Sequence, residues 1–250
     1  MIYKDLIEKA KKLRQDTFNT FVKQGEAHIG GAFSMIEMII ILYEKVLKKE
    51  DKFILSKAHS SFPLCLILKE MGYDPPITTH LEIDQKNGIH CTTGSLGHGL
   101  PLGTGMALAR KLQEKPGKIY VMMSDGECQE GTTWESLLIA AKHKLDNLVI
   151  IIDYNKIQAL TTLDEALPLD DLSAKFKAFN FSCNEVYDGH SFDELINVSQ
   201  KNNNEGRPRG IIVHTTKCKG IKAFEGDPKW HARKIKGEEL EIGKKELGIR

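Results

Sequence analysis

The sequence is short of most features that mark a specialised chain. Acidic and basic side chains nearly cancel, 34 against 35, so there is no one-signed field to hold nucleic acid or an anionic membrane. No apolar run approaches the ~20 residues that span a bilayer. The start, MIYKDLIEKAKKLRQD, is too charged for a secretory leader. Five cysteines, Cys65, Cys91, Cys128, Cys183 and Cys218, are odd in number, widely spaced and free of any CxxC pair. That excludes a disulfide framework and a zinc ribbon and points to a reducing cytoplasm. Repeats, heptads and low-complexity tracts are also missing. What remains is a soluble globular chain of 250 residues, 41% hydrophobic, long enough to bury a core of its own. Histidine is the conspicuous presence: there are nine, four of them in loops among small residues.

Residues 3–24 carry Leu6, Leu13, Phe18, Phe21 and Val22 among charges, a helical spacing that Gly25 ends. EAHIGGAFS reads as a glycine-rich loop. Ser34, with Glu37 three residues on, reads as a capping box opening the apolar helix MIEMIIILYEKVL. A short strand over Phe53–Leu55 leads into SKAHSS, then a helix over 62–71 and a long polar loop over 74–98 containing three histidines and GSLGHG. A loop of that length in a compact chain is usually functional or disordered, and its His, Gly and Thr favour function. KIYVMM and LVIIID are buried strands flanking a helix over 133–143, a βαβ unit that demands a parallel sheet. A helix near 170–179, a strand near 182–187, a helix over 191–203, the strand GIIVH and a charged terminal helix continue the rhythm. The expectation is one doubly wound α/β domain over residues 1–250, a mainly parallel sheet with helices on both faces.

Ligands in such sheets bind beyond the carboxyl ends of the strands. Asp125 follows KIYVMM and Asn155 follows LVIIID. If those strands are neighbours, ~4.8 Å apart, both side chains reach one ion. A carboxylate, an amide oxygen and a nearby carbonyl are the hard donors that Mg²⁺ or Ca²⁺ prefers, with places left for phosphate oxygens. Gly126 lets the backbone approach a phosphate, and the helix that follows adds its dipole. The plain alternative is that Asp125-Gly126 is a turn and Asn155 a cap.

DGECQEGTTWE…LDNLVIIIDYNKIQ resembles the thiamine-diphosphate signature, and specifically its transketolase form. EAHIGGAFS is similar to the transketolase loop that carries a catalytic histidine, and SKAHSS to its Ser-Lys-Gly-His segment. TTGSLGHG resembles its cofactor loop, and WHAR its late histidine motif. The five motifs occur in the family's order and span almost the whole chain.

The resemblance implies thiamine diphosphate with Mg²⁺ (or Ca²⁺) as cofactor and transfer of a two-carbon ketol unit between small sugars. It implies metal ligands at Asp125, Asn155 and the Ile157 carbonyl. Gly126 and Glu127 would flank the diphosphate, and Gly94, Ser95 and Leu96 would support the cofactor's middle. His28, His59 and His231 match residues near the reacting hydroxyls, where a side chain with a pKa near neutrality can move protons. His59 and His231 also match cofactor contacts, and His80 corresponds, on looser spacing, to a further substrate-facing histidine. His98 stands where glutamine is usual. Glu130 matches a carboxylate at a subunit interface or, as plainly, caps a helix. Asp153 either bears on the cofactor or ends a strand. His90, His143, His190 and His214 carry no chemical expectation.

A whole transketolase is far longer, and its activating glutamate and most phosphate-binding arginines belong to a following pyrimidine-binding domain. The resemblance therefore implies the cofactor-binding half of a split, cytoplasmic enzyme, working with a second chain in a heterotetramer of two copies each. Ala27, Ala58, Ser124 and Cys218 stand where the family has glycine. This leaves room for a ketol or acyl transferase acting on a modified or nucleotide-linked sugar, or for a scaffold subunit without catalysis.

Overall fold

The computed structural model describes residues 3–26, 28–159, 161–201 and 206–249. Helix α1 (Lys4–Gln24) ends where Gly25 turns left-handed at φ 66° and returns its N–H to the carbonyls of Phe21 and Val22. Two short helices follow, α2 (Ile29–Ser34) and α3 (Ile36–Ile41), the latter continuing as one π turn through Val46. EAHIGGAFS is thus half helical rather than a loop. Its glycines serve close approach: a Cβ on Gly31 would lie 2.6 Å from Ser60 Oγ, and one on Gly30 would lie 2.8 Å from Lys217 Cγ. The expected capping box is absent too, because Met35 precedes α3 and no side chain caps it. Ser34 instead donates to Asp153, and Glu37 faces Arg14 and His190.

Strand β1 (Lys52–Leu55) and helix α4 (Phe62–Glu70) lead into the long loop. The loop is ordered by two antiparallel bridges, Leu81 with Thr93 and Asp84 with Ile89. Helix α5 (Gly99–Leu112), which the residue pattern did not reveal, precedes β2 (Ile119–Ser124). Then come α6 (Gly131–Lys142), β3 (Leu148–Tyr154), a hairpin of β4 (Ile157–Gln158) and β5 (Thr161–Thr162), and α7 (Leu163–Ala166). Helix α8 (Leu172–Ala178), β6 (Ser182–Val186), α9 (Phe192–Gln200), β7 (Arg209–His214) and α10 (Glu238–Leu247) complete the order. The expected end of α9 at residues 202–203 lies outside the described residues, as does Ala27.

The sheet runs β1-β2-β3-β7-β6, every neighbouring pair parallel. Side chains alternate between its faces, as strand geometry requires. Tyr120, Met122, Val149, Ile151, Ile211 and Val213 pack with α1, α3, α4 and α9. Val121, Met123, Ile150, Ile152 and Ile212 pack with α5, α6 and α8. Both faces are covered, so the strands read as continuous apolar runs. A third cluster, including Phe18, Phe21, Phe33, Phe62, Trp230 and Leu247, binds the C-terminal segment to α1 and α2. Among the described residues no helix is long and apolar enough to cross a membrane.

Candidate active site

Four neighbouring strand ends and two returning turns build one cleft at the carboxyl edge of the sheet. β2 and β3 are adjacent, in register from Ile119 with Leu148 to Ser124 with Asp153. Asp125 and Asn155, thirty residues apart in sequence, therefore emerge side by side. Asp125 is 1% exposed. Its carboxylate accepts the N–H of Gly126 at 2.8 Å and that of Lys156 at 2.6 Å. Burial, and then the neighbouring Asp153, push its carboxyl up to about 7. Asn155 Oδ1 accepts the Ile157 N–H at 3.2 Å.

Asp153 ends its strand as a fully buried carboxylate paired with the equally buried Lys57 ammonium. The Ser34 and Thr215 hydroxyls also donate to it. Burial alone would raise this carboxyl; the Lys57 charge and the hydroxyls overcome that and hold it below the usual range. Lys57 is fixed further by the Gly31 carbonyl at 2.9 Å. This pair is structural support under the cleft, coming from the ends of β1 and β3.

His28, just before α2, His59, just after β1, and His231, in the turn Pro228–His231, meet in a triangle. Their ring centroids are 5.7, 5.5 and 5.8 Å apart for His28–His59, His28–His231 and His59–His231. Burial, then the Lys57 charge, hold His59 well below the usual imidazole range. Burial, then Lys217, lower His231 to about 4. Both rings are neutral at physiological pH and able to accept a proton without first shedding one.

Lys217, after β7, is the main residue that sequence reasoning missed. It is buried, with Nζ 3.0 Å from His231 Nδ1 and 3.4 Å from the Ile157 carbonyl. Burial lowers its ammonium to about 8 against the pull of Asp125. The signal in the sequence is a lysine on each side of Cys218. Gln158 and Ala159 line the cleft as well.

The loop over 94–98 is tied to the turn after β2. Glu127, fully buried, accepts from the Ser56 hydroxyl, Gly97 N–H at 3.0 Å and Ser124 N–H at 2.9 Å. Its carboxylate faces the protein, so what it can offer a ligand is backbone. Leu96 borders the cleft, with Gly94 and Ser95 in the same loop. His80 is exposed and lies over Gly94, where a Cβ would come 2.5 Å from its Cδ2; it stands outside the histidine triangle. His98 bonds to Ser95 Oγ at 3.2 Å. Glu130 borders the cleft and occupies the N-cap position of α6 without a side-chain capping bond.

The replaced glycines differ in consequence. Ala58 packs in the core, and the Ser124 hydroxyl is met by Glu127 at 3.2 Å; neither has a positive φ. Cys218 does, at 61°, which costs an L-residue about 1–2 kcal/mol. Among the described residues eight non-glycines have positive φ, and four of them, His28, Lys156, Ala159 and Cys218, lie at this site. Such strain persists where surrounding structure over-determines it.

The donors suit a hard divalent cation holding a diphosphate. Asp125, Asn155 and Ile157 line the same cleft, and a carboxylate, an amide oxygen and a backbone carbonyl are the hard donors such a cation prefers. A Cβ on Gly126 would meet only Gln158 Cγ, at 3.5 Å, which leaves its other side open to a ligand.

Residues 3–250 match the family model described as transketolase, thiamine diphosphate binding domain. The chain belongs to this transketolase family. It is 35% identical to one of the subunits of an apulose-4-phosphate transketolase from Actinobacillus succinogenes, over 98% of this chain and 96% of that one. It is 33% identical to a 6-deoxy-6-sulfo-D-fructose transketolase subunit from a Clostridium species, over 94% and 93%. The transketolase of Campylobacter jejuni superposes with a TM-score of 0.83 at 26% identity, over 97% of this chain and 42% of that one. The transketolase fold is thus present throughout, and the chain spans less than half of that solved transketolase.

Proposed function

We propose that the chain is the thiamine-diphosphate-binding subunit of a two-chain transketolase-like transferase, moving a two-carbon ketol unit from a ketose to an aldehyde acceptor. The observation carrying this reading is the convergence of Asp125, Asn155 and the Ile157 carbonyl beside a triangle of His28, His59 and His231. Asp125, Asn155 and Ile157 would hold Mg²⁺, Gly126 and Lys217 the diphosphate, and the Gly94–Leu96 loop the cofactor's middle. The Ile157 carbonyl, now 3.4 Å from Lys217 Nζ, would face the cation, and the Lys217 ammonium would offer its charge to the diphosphate. Thiamine diphosphate, when bound, would supply the electron sink for cleaving the ketose carbon–carbon bond. The neutral His59 and His231, with His28, bind sugar hydroxyls and take or return their protons; His80 stands at the outer edge of the substrate path. Lys57 and Asp153 keep the floor rigid.

The partner, a chain bearing the pyrimidine-binding domain and the activating glutamate, is inferred from the two subunit relatives, whose lengths this chain nearly covers. We place the pair in the cytoplasm as a heterotetramer of two copies each. His28, His59, Asp125, Asn155 and His231 are all present around one cleft, which sets this reading above a scaffold role. The test is reconstitution with the partner: calorimetry with thiamine diphosphate and Mg²⁺, followed by a ketol-transfer assay. Saturable, Mg²⁺-dependent binding and cofactor-dependent turnover are expected; no binding in the assembled complex rejects the proposal.

A further inference from the structure

Behind the cleft lies a second polar cluster that takes no part in the chemistry above. Arg14 of α1, Glu37 of α3 and His190, between β6 and α9, meet at the floor of a surface groove, their side chains largely buried. Arg14 Nη2 donates to both Glu37 oxygens, at 2.6 and 2.8 Å. His190 Nδ1 lies 3.0 Å from Glu37 Oε2. His190 Nε2 accepts the backbone N–H of Thr216 at 2.9 Å. An accepting Nε2 puts the ring proton on Nδ1, where it is donated to Glu37. Arg14 Nε donates to the Lys219 carbonyl at 2.9 Å. The cluster thus grips the Thr215–Gly220 turn at two backbone points, one on each side of Lys217 and Cys218.

The front of that turn is the cleft wall. Thr215 donates to Asp153, and Lys217 reaches His231 and Ile157. Between the two grips sits Cys218 at φ 61°. Its N–H bonds to the Gly30 carbonyl at 3.1 Å and its side chain is buried. A strained residue relaxes unless its flanks are held. The close fit extends to Gly220, where a Cβ would stand 2.8 Å from Arg14 Cδ.

We infer that Arg14, Glu37 and His190 form a positioning clamp that holds the strained turn and so aims Lys217 at the diphosphate. These residues touch no substrate; they act through the backbone of 216 and 219. Three segments distant in sequence are thereby coupled to one lysine. This inference rests on the proposed function for the role of Lys217, but not for the clamp itself.

Two isosteric substitutions separate its halves. His190→Asn keeps a donor where Nδ1 faces Glu37 and removes the acceptor for Thr216. His190→Gln keeps an acceptor where Nε2 stands. Hydrogen exchange on the cofactor-free full chain reads the grip directly. His190→Asn is expected to speed exchange of the Thr216–Cys218 amides about tenfold, the scale of one lost buried hydrogen bond, while β7 stays unchanged. His190→Gln is expected to stay within about twofold of wild type, since it keeps that bond. In the assembled complex, His190→Asn should weaken thiamine diphosphate binding by a similar factor and leave the sugar KM at saturating cofactor unaltered.

Equal behaviour of the two variants, unchanged exchange at 216–218, or loosening that spreads through β7 overturns the clamp. Wild-type protein that binds no cofactor while His190→Asn still loosens the turn overturns the function and leaves the clamp. Wild type and His190→Asn binding cofactor equally overturns the clamp and leaves the function. Should His190→Asn not fold, Arg14→Lys, which keeps the charge at Glu37 but not the reach to the Lys219 carbonyl, is read in the same way.

Discussion

Asp125 keeps its proton up to about pH 7 when folded, whereas its ordinary carboxyl value is 3.8. Between those values the native state holds a proton that the unfolded state has released. Stability of the cofactor-free chain therefore falls as pH rises from about 4 to about 7 on account of this residue. Asp125→Asn should flatten that part of the stability profile, as read by denaturant midpoints at pH 5 and pH 8. The same proton competes with the cation, so Mg²⁺-dependent cofactor affinity should rise about tenfold per pH unit below 7 and level off above it, by calorimetry. His231 and Lys217 should divide their effects. His231→Ala is expected to lower kcat/KM by about a hundredfold, within the usual range for a proton-transfer group, even at saturating cofactor; Lys217→Met is expected to weaken cofactor binding first. At this scale the sequence was informative wherever a motif names its residue, as with Asp125, Asn155 and the three histidines. Lys57, Asp153 and Lys217 were harder to read, because their importance comes from partners brought by other strands.

Helix α5 carries the 94–98 loop against β1 and β2, and its glycines serve opposite ends. A Cβ on Gly99 would lie 2.4 Å from Ser56 Oγ and 2.8 Å from Ser56 Cα, and one on Gly103 would lie 2.4 Å from Val121 Cγ2. Gly105, exposed on the same helix, has nothing within 4 Å. Gly103→Ala should destabilise by about 1–3 kcal/mol through overpacking, and Gly105→Ala should stabilise by about 0.5–1 kcal/mol through reduced unfolded-state entropy, both by denaturant unfolding. Glycine content hid this helix from sequence reading: GLPLGTG resembles loop chemistry until its neighbours are known. The same cause concealed α2. The central strands, by contrast, were legible, because KIYVMM, LVIIID and GIIVH are buried on both faces and carry their burial in composition alone. Their order was not, since β7 inserts between β3 and β6 through pairings that no local pattern encodes.

For the whole molecule, the expectation is dependence on a partner. The purified chain should show no thiamine-dependent turnover in a ketol-transfer assay, and activity should appear on titration with the second chain, with light scattering reporting the stoichiometry. The chain's near-neutral charge fits such a role: the diphosphate is to be met by a cation, Lys217 and backbone dipoles, not by a basic surface. A further consequence follows from the β2–β3 register. The spacing of Asp125 and Asn155 is set by six residue pairs in the middle of the sheet, while the segment that follows His231 lies outside the sheet. That segment can be rewritten without moving the proposed metal ligands. A library confined to Ala232, Lys234 and Lys236, exposed just after His231, should therefore yield altered sugar preference at undiminished cofactor affinity, read by ketol-transfer assay and calorimetry.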